Sequence, residues 1–68
     1  MVKNMVEFYA KEYGATLLKT PLGGTVAVFR NRPTAKRLNA RENFWEAAQK
    51  YADIRIGLYG DEIALYIS

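Results

Sequence analysis

Two short runs of alternating apolar residues constrain the fold more than any other feature of the sequence. Between the runs stands Gly60-Asp61, and a leading glycine suits the first position of a type II′ turn. A two-residue turn at this point sets every apolar residue of one run opposite an apolar residue of the other, so the turn and the pattern predict the same β-hairpin register. The predicted pairs are Leu58–Ile63, Ile56–Leu65 and Ile54–Ile67.

Two other segments carry the three- and four-residue spacing of amphipathic helices. The first spans residues 2–13 and is followed by Gly14, a residue that commonly ends helices. For the second, we predict that Asn39 caps the amino-terminal end, because Glu42 follows three residues later as in a capping box. Residues 31–38, which include a proline, are predicted to form a loop.

The predicted order of elements is helix, hairpin, helix, hairpin. Two further strands are expected at 16–20 and 26–30, around a turn of proline and glycine composition. The two halves of the sequence also align with each other, and the alignment matches Val26 to Ile63. An internal duplication would explain this similarity, but any two α-β-β units with amphipathic patterns would align equally well. We therefore predict one α+β domain over residues 1–68. It is a two-layer sandwich, with two helices on one face of a four-stranded antiparallel sheet and the other face open.

Composition argues against catalysis and against metal binding. The 68 residues include no cysteine and no histidine, so disulfides, thiolate sites and the commonest general base are absent. The seven carboxylates fit exposed helix faces and a hairpin turn. We therefore expect no enzyme activity, no cofactor, no metal site and no small-molecule substrate. No apolar run approaches the roughly 20 residues of a membrane span, and no export signal is visible, so we expect a cytoplasmic protein.

A cluster of basic residues is the first candidate site. Half of the ten basic residues lie in one window that contains no acid, and they are Arg30, Arg32, Lys36, Arg37 and Arg41. The window leads into the predicted second helix, whose amino-terminal end favours anions. Arginine binds phosphate in bidentate geometry. The sequence therefore predicts a surface for nucleic acid or another polyanion, although a merely solvated loop has the same composition.

The open face of the sheet is the second candidate site. Its predicted members are aromatic, apolar or basic, and they are Leu17, Lys19, Phe29, Arg55, Tyr59 and Tyr66. Such a face could stack bases, pair with another protein or with a second copy of the chain, or simply complete the fold. Trp45, at the flank of the second helix, is a further candidate anchor for a partner.

The function expected from these surfaces is binding. The first hypothesis is a small nucleic-acid-binding or polyanion-binding module that acts through the basic window. The alternative is a protein-binding regulator or inhibitor, of the kind carried by phages and mobile elements, or a homodimer formed through the open sheet face. An acidic or nucleic-acid-binding protein would be a suitable partner. No RNP-type strand, GXXG clamp or zinc-finger spacing is complete in the chain.

Overall fold

A single sheet of four antiparallel strands carries both helices on one face. The computed structural model describes residues 1–68, and its elements are α1 (Lys3–Tyr13), β1 (Thr16–Lys19), β2 (Thr25–Val28), a 3-10 turn (Thr34–Lys36), α2 (Arg37–Ala48), β3 (Ile54–Tyr59) and β4 (Glu62–Ile67). The strand order is β1-β2-β4-β3, so the two hairpins join through β2 and β4. The predicted α+β architecture is confirmed.

The β3–β4 hairpin has the register predicted from its alternating pattern. Leu58 lies opposite Ile63, and the other two predicted apolar pairs also form. Gly60 has a φ of +65°, the conformation that the first position of a type II′ turn requires. The pairing is continuous along both strands, and it ends in reciprocal backbone hydrogen bonds of 3.0 Å between Asp53 and Ser68.

The first helix ends where the sequence predicts. Gly14 adopts the left-handed conformation, with a φ of +76°, and its amide donates to the carbonyl of Ala10. Val6 and Ala10 are buried against the sheet, whereas Phe8 is 57% exposed. Of the two helices, α1 has 11 residues and α2 has 12, and neither is long and apolar enough to cross a membrane.

The second helix begins earlier than predicted. Helical winding starts with the 3-10 turn after Pro33, where the amide of Lys36 donates to the carbonyl of Pro33 at 2.8 Å. Asn39 therefore lies within the first turn of α2 and is not its cap, so the capping box with Glu42 is wrong. Proline favours the start of a helix because its φ is already fixed. The predicted loop 31–38 is partly helical for the same reason.

The main core lies between the helices and the sheet. Its eight buried members are Val6, Ala10, Ala27, Phe29, Phe44, Ala48, Leu65 and Ile67. Phe29 and Phe44 meet edge to face, with their ring centroids 6.0 Å apart, so the residue that directly follows β2 packs against α2. Tyrosines at positions 9, 13 and 51 border this core and stack on one another.

The predicted facing of the first hairpin is wrong. Because Ala27 of β2 lies opposite Leu65 of β4, and opposed residues share a face, Ala27 points toward the helices. By the same alternation Leu17, Lys19 and Phe29 lie on the helix side, and they do not belong to the open face. The alignment of the two halves set Val26 in the position of Ile63, which is one residue out of phase with the observed pairing.

A second, smaller cluster occupies the face that was expected to be open. Val26, Val28 and Ala64 are fully buried there, beneath the side chains of Leu18, Tyr59 and Tyr66. The ring of Tyr66 lies over Gly57, where an added Cβ would stand only 3.0 Å from a ring carbon. The Tyr66 hydroxyl donates to the carbonyl oxygen of Leu58 at 2.6 Å. The glycine in β3 therefore makes room for a tyrosine that covers this cluster.

Part of the predicted core is exposed. Ile56, Leu58 and Ile63 share the helix side of the sheet with Leu65, but they are 59%, 65% and 44% exposed. The helices cover the end of the hairpin that contains Ile54 and Ile67, and they leave the end near the turn uncovered. The chain thus carries an apolar patch, hereafter the β3 patch, of Ile56, Leu58 and Ile63.

We expect the Tyr66 ring to be a main contributor to the second cluster. Tyr66→Ala should lower the free energy of unfolding by about 2–3 kcal/mol, because it uncovers Val26, Val28 and Ala64. Tyr66→Phe keeps the ring and loses only the hydroxyl bond, which should cost about 1 kcal/mol or less. Urea unfolding of the two variants checks this, and equal losses would show that the ring covers nothing of importance.

Candidate nucleic-acid interface

The five basic residues of the predicted polyanion site gather at one end of the domain. Arg30 and Arg32 follow β2, Lys36 closes the 3-10 turn, and Arg37 and Arg41 lie in the first turns of α2. The carboxyl-terminal end of α1 and the turn of the β3–β4 hairpin meet the same region, through contacts to Arg32 and Arg30 respectively. The five side chains differ in what they bind within the chain.

Arg37 holds the loop that precedes its own helix. Its Nε donates to the carbonyl of Arg32 at 2.9 Å, and its Nη2 donates to the carbonyl of Arg30 at 3.0 Å. The guanidinium thus connects two carbonyl groups of the loop backbone to the start of α2. Neutral carbonyls do not cancel its charge, so Arg37 both orders the loop and contributes a positive charge to it.

Arg32 links the loop to the end of α1. Its Nε lies 3.4 Å from the carbonyl oxygen of Tyr13, in the last turn of that helix. The guanidinium packs so closely on Gly14 that a Cβ at that position would require the Arg32 side chain to move. A cation is favourable at a helix carboxyl-terminal end, where carbonyl groups lack helical partners. Glycine at position 14 therefore allows both the left-handed backbone conformation and the close packing of the Arg32 guanidinium.

Arg30 is the one basic residue of the cluster whose charge is paired. Its Nε lies 3.4 Å from a carboxylate oxygen of Glu62, and this is the only ion pair in the chain. Its guanidinium carbon also stands 5.7 Å from the ring centre of Tyr59, at cation–π distance. Arg30 therefore joins the loop to the hairpin turn and has less charge to offer a ligand.

The side chains of Lys36 and Arg41 make no hydrogen bond or ion pair within the chain. Lys36 is exposed and Arg41 is half-buried. Lys36 and Arg32 line one shallow concavity of about 190 Å³, together with Tyr13, Ala40 and Asn43. The phenol and the amide that border this concavity can both hydrogen-bond to a phosphate oxygen. Sequence reasoning missed Tyr13 and Asn43, because only the packing of α1 beside α2 brings them to the basic loop.

The aromatic residues proposed for stacking are not free to stack. Phe29 is 1% exposed and packs against Phe44 in the main core. Tyr66 is bound to the Leu58 carbonyl, and Tyr59 lies beneath Arg30. On the sheet face, Arg55 is exposed and Tyr59 and Tyr66 are half-buried, with part of each ring occupied by contacts within the chain.

Trp45 occupies the flank of α2, as predicted, but it is half-buried against the main core. Its accessible part borders a depression that it shares with Glu42, Glu46 and Gln49. No group of three or more carboxylates lies close enough together to hold a metal ion.

We expect Arg37 to be a structural residue as well as a charge. Arg37→Lys keeps the charge but cannot bridge two carbonyls with planar geometry, so it should lower the free energy of unfolding by about 1–2 kcal/mol. Lys36→Gln should change it by less than about 0.5 kcal/mol, since Lys36 is exposed and unpaired. Thermal and urea unfolding provide the comparison, and equal stability of the two variants would contradict a structural role for Arg37.

Comparison of the chain with family models, with curated proteins and with solved structures gave no significant match. The function must therefore be inferred from the residues of this chain.

Proposed function

We propose that this domain binds the phosphate backbone of a nucleic acid through Arg32, Lys36, Arg37 and Arg41. The observation that carries the proposal is the placement of these four cations on one ordered loop and helix start, with no acid paired to any of them. Binding of this kind neutralises phosphates and releases counterions, so it does not depend on the nucleotide sequence of the ligand.

The order of the loop supports the proposal. Arg37 and Arg32 bind backbone carbonyls through Nε, and each still has guanidinium N–H groups for a ligand. A loop already held in place loses less conformational entropy when a ligand binds. Lys36 and Arg41, which have no partner in the chain, supply charge without breaking an internal contact.

The same geometry argues for contact with phosphates and not with bases. Base recognition needs stacking rings or bidentate side chains that reach base edges. Phe29 is buried, and Tyr59 and Tyr66 are engaged within the sheet face. Arg30 is left out of the proposed contact set, because Glu62 already pairs with it.

A protein partner is the second candidate. The observation that favours it is the β3 patch, in which Ile56, Leu58 and Ile63 are 59%, 65% and 44% exposed. Apolar side chains gathered on one part of a small domain commonly mark an interaction surface. The patch lies on the helix side of the sheet, and so it differs from the aromatic face that the sequence suggested.

We expect the affinity for nucleic acid to fall steeply with salt. Four phosphate contacts correspond to a slope of log K against log salt of about −3.6 on duplex DNA and about −2.8 on a single strand. Removing two contacts with Lys36→Gln/Arg41→Gln should reduce the magnitude of the duplex slope to about 1.8. Fluorescence anisotropy of labelled oligonucleotides across a salt series measures both slopes.

The matched control removes the same charge at the opposite end of the domain. Lys3 begins α1 and Lys19 ends β1, both remote from the carboxyl-terminal end of α1 and from the end of β2 where the basic loop lies. Lys3→Gln/Lys19→Gln should leave the slope near that of the parent chain. Equal weakening by the two double variants would mean that net charge alone attracts DNA. No binding even at low salt would overturn the proposal and direct attention to an acidic protein surface.

A further inference from the structure

Strand β3 is an edge strand whose outer backbone groups have no partner strand. The sheet order ends at β3, and the reciprocal bonds between Asp53 and Ser68 fix which of its residues bond to β4. In an antiparallel pair these residues alternate. Arg55, Gly57 and Tyr59 therefore bond inward, and Ile54, Ile56 and Leu58 turn their amides and carbonyls outward.

This edge has few of the features by which sheets avoid pairing with another chain, and its one charged residue is Arg55. β3 is six residues long and contains no lysine, proline, acid or bulge. Edge β1, at the other side of the sheet, is four residues long, ends at Lys19 and is followed two residues later by Pro21. Short strands, lysine and proline are the usual protections of a sheet edge. Only β1 has them.

We propose that two copies of this chain pair antiparallel through β3, about a twofold axis at Gly57, to form an eight-stranded sheet. In this register Ile56 lies opposite Leu58 of the partner subunit, and Arg55 lies opposite the partner's Tyr59. Residues whose backbone amides and carbonyls point outward lie opposite residues of the same kind in the other copy, as antiparallel hydrogen bonding requires. The β3 patches of both copies become continuous across the seam on the helix side.

The two registers with the axis nearer the start of β3 match less well. An axis at Arg55 would set two arginines directly opposite each other, which is unfavourable. An axis at Ile56 would set Arg55 opposite a glycine and would lose the contact with an aromatic ring. With the axis at Gly57, the two glycines meet at a closely spaced pair, and apolar side chains meet apolar ones. The carbonyl of Leu58, which accepts the Tyr66 hydroxyl, retains a second lone pair for the partner's amide.

The dimer is expected to be weak and to depend on concentration. A seam of five paired β3 residues from each copy, 55–59, is small beside a standard interface, and its hydrogen bonds replace bonds to water. The inference does not rest on nucleic-acid binding, because the basic loop and β3 are different surfaces. The parent chain and its variants can therefore be tested without any ligand.

The experiment is sedimentation equilibrium over about 10 µM to 1 mM protein, the range suited to a small interface. The mass of the parent chain should rise from 7.7 kDa toward twice that value. Ile56→Lys and Leu58→Glu should each weaken self-association by roughly tenfold or more, since each dimer loses two apolar contacts. Both positions are more than half exposed, so the fold should be kept, and circular dichroism checks this.

Mixing the two variants tests the register. An equimolar mixture should form heterodimers with near-parental affinity, because the introduced lysine lies opposite the introduced glutamate while Leu58 still meets Ile56. Leu22→Lys, at a 99% exposed position in the β1–β2 turn, is the control and should dimerise like the parent chain. The proposal is overturned by a parent chain that stays at 7.7 kDa, by variants that dimerise normally, or by a mixture that shows no recovery.

Discussion

The pairing of β2 with β4 is the constraint on which the rest of the structure depends. It joins two hairpins that would otherwise be separate, and it sets Ala27 opposite Leu65 and Val26 opposite Tyr66. Each β2 residue from Thr25 to Val28 is buried, because the strand is covered on both faces. Two clusters, one under the helices and one under the tyrosines, exist because this central strand contributes to both. A small domain without disulfides or metals needs such double use of its few apolar residues.

The basic loop shows how charge and structure are combined in so short a chain. Arg37 closes the loop on two carbonyls, Arg32 meets the end of α1, and Arg30 joins the hairpin turn. These contacts add polar links between the loop, the end of α1 and the hairpin turn, beside the packing of α1 on α2. The arginines thus serve as polar cross-links, and the positive potential of the surface is a result of the same residues that order it.

Much of the fold could be predicted, and the errors have identifiable causes. The β3–β4 register followed from the sequence because alternation and turn residues agree there. The sequence did not indicate which side chains of β2 point toward the helices. All of the residues from Val26 to Phe29 are apolar, so they show no alternation of apolar and polar residues. The start of α2 was misplaced because Asn39 and Glu42 have the spacing of a capping box, whereas the helix start is set by Pro33 and by Arg37, which binds carbonyls five and seven residues away.

The candidate site was predictable in composition but not in arrangement. Clustering of five cations is visible in the sequence, whereas the pairing of Arg30 with Glu62 and the approach of Tyr13 and Asn43 arise only from packing. The aromatic face was overestimated because strand alternation does not reveal that Tyr66 lies over Gly57. Nor does an apolar pattern show how far the helices reach along the hairpin, which is why Ile56 and Leu58 were assigned to the core.

The central position of β4 has a consequence for synthesis of the chain. The interior strand β4 comes last among the four strands in the sequence, after the edge strand β3. While the ribosome is still making residues before Glu62, β2 has only β1 beside it and β3 has no neighbour at all. The sheet can close only when β4 leaves the exit tunnel, so the domain folds as one unit after that point, and the edge of β2 that pairs with β4 has no partner until then.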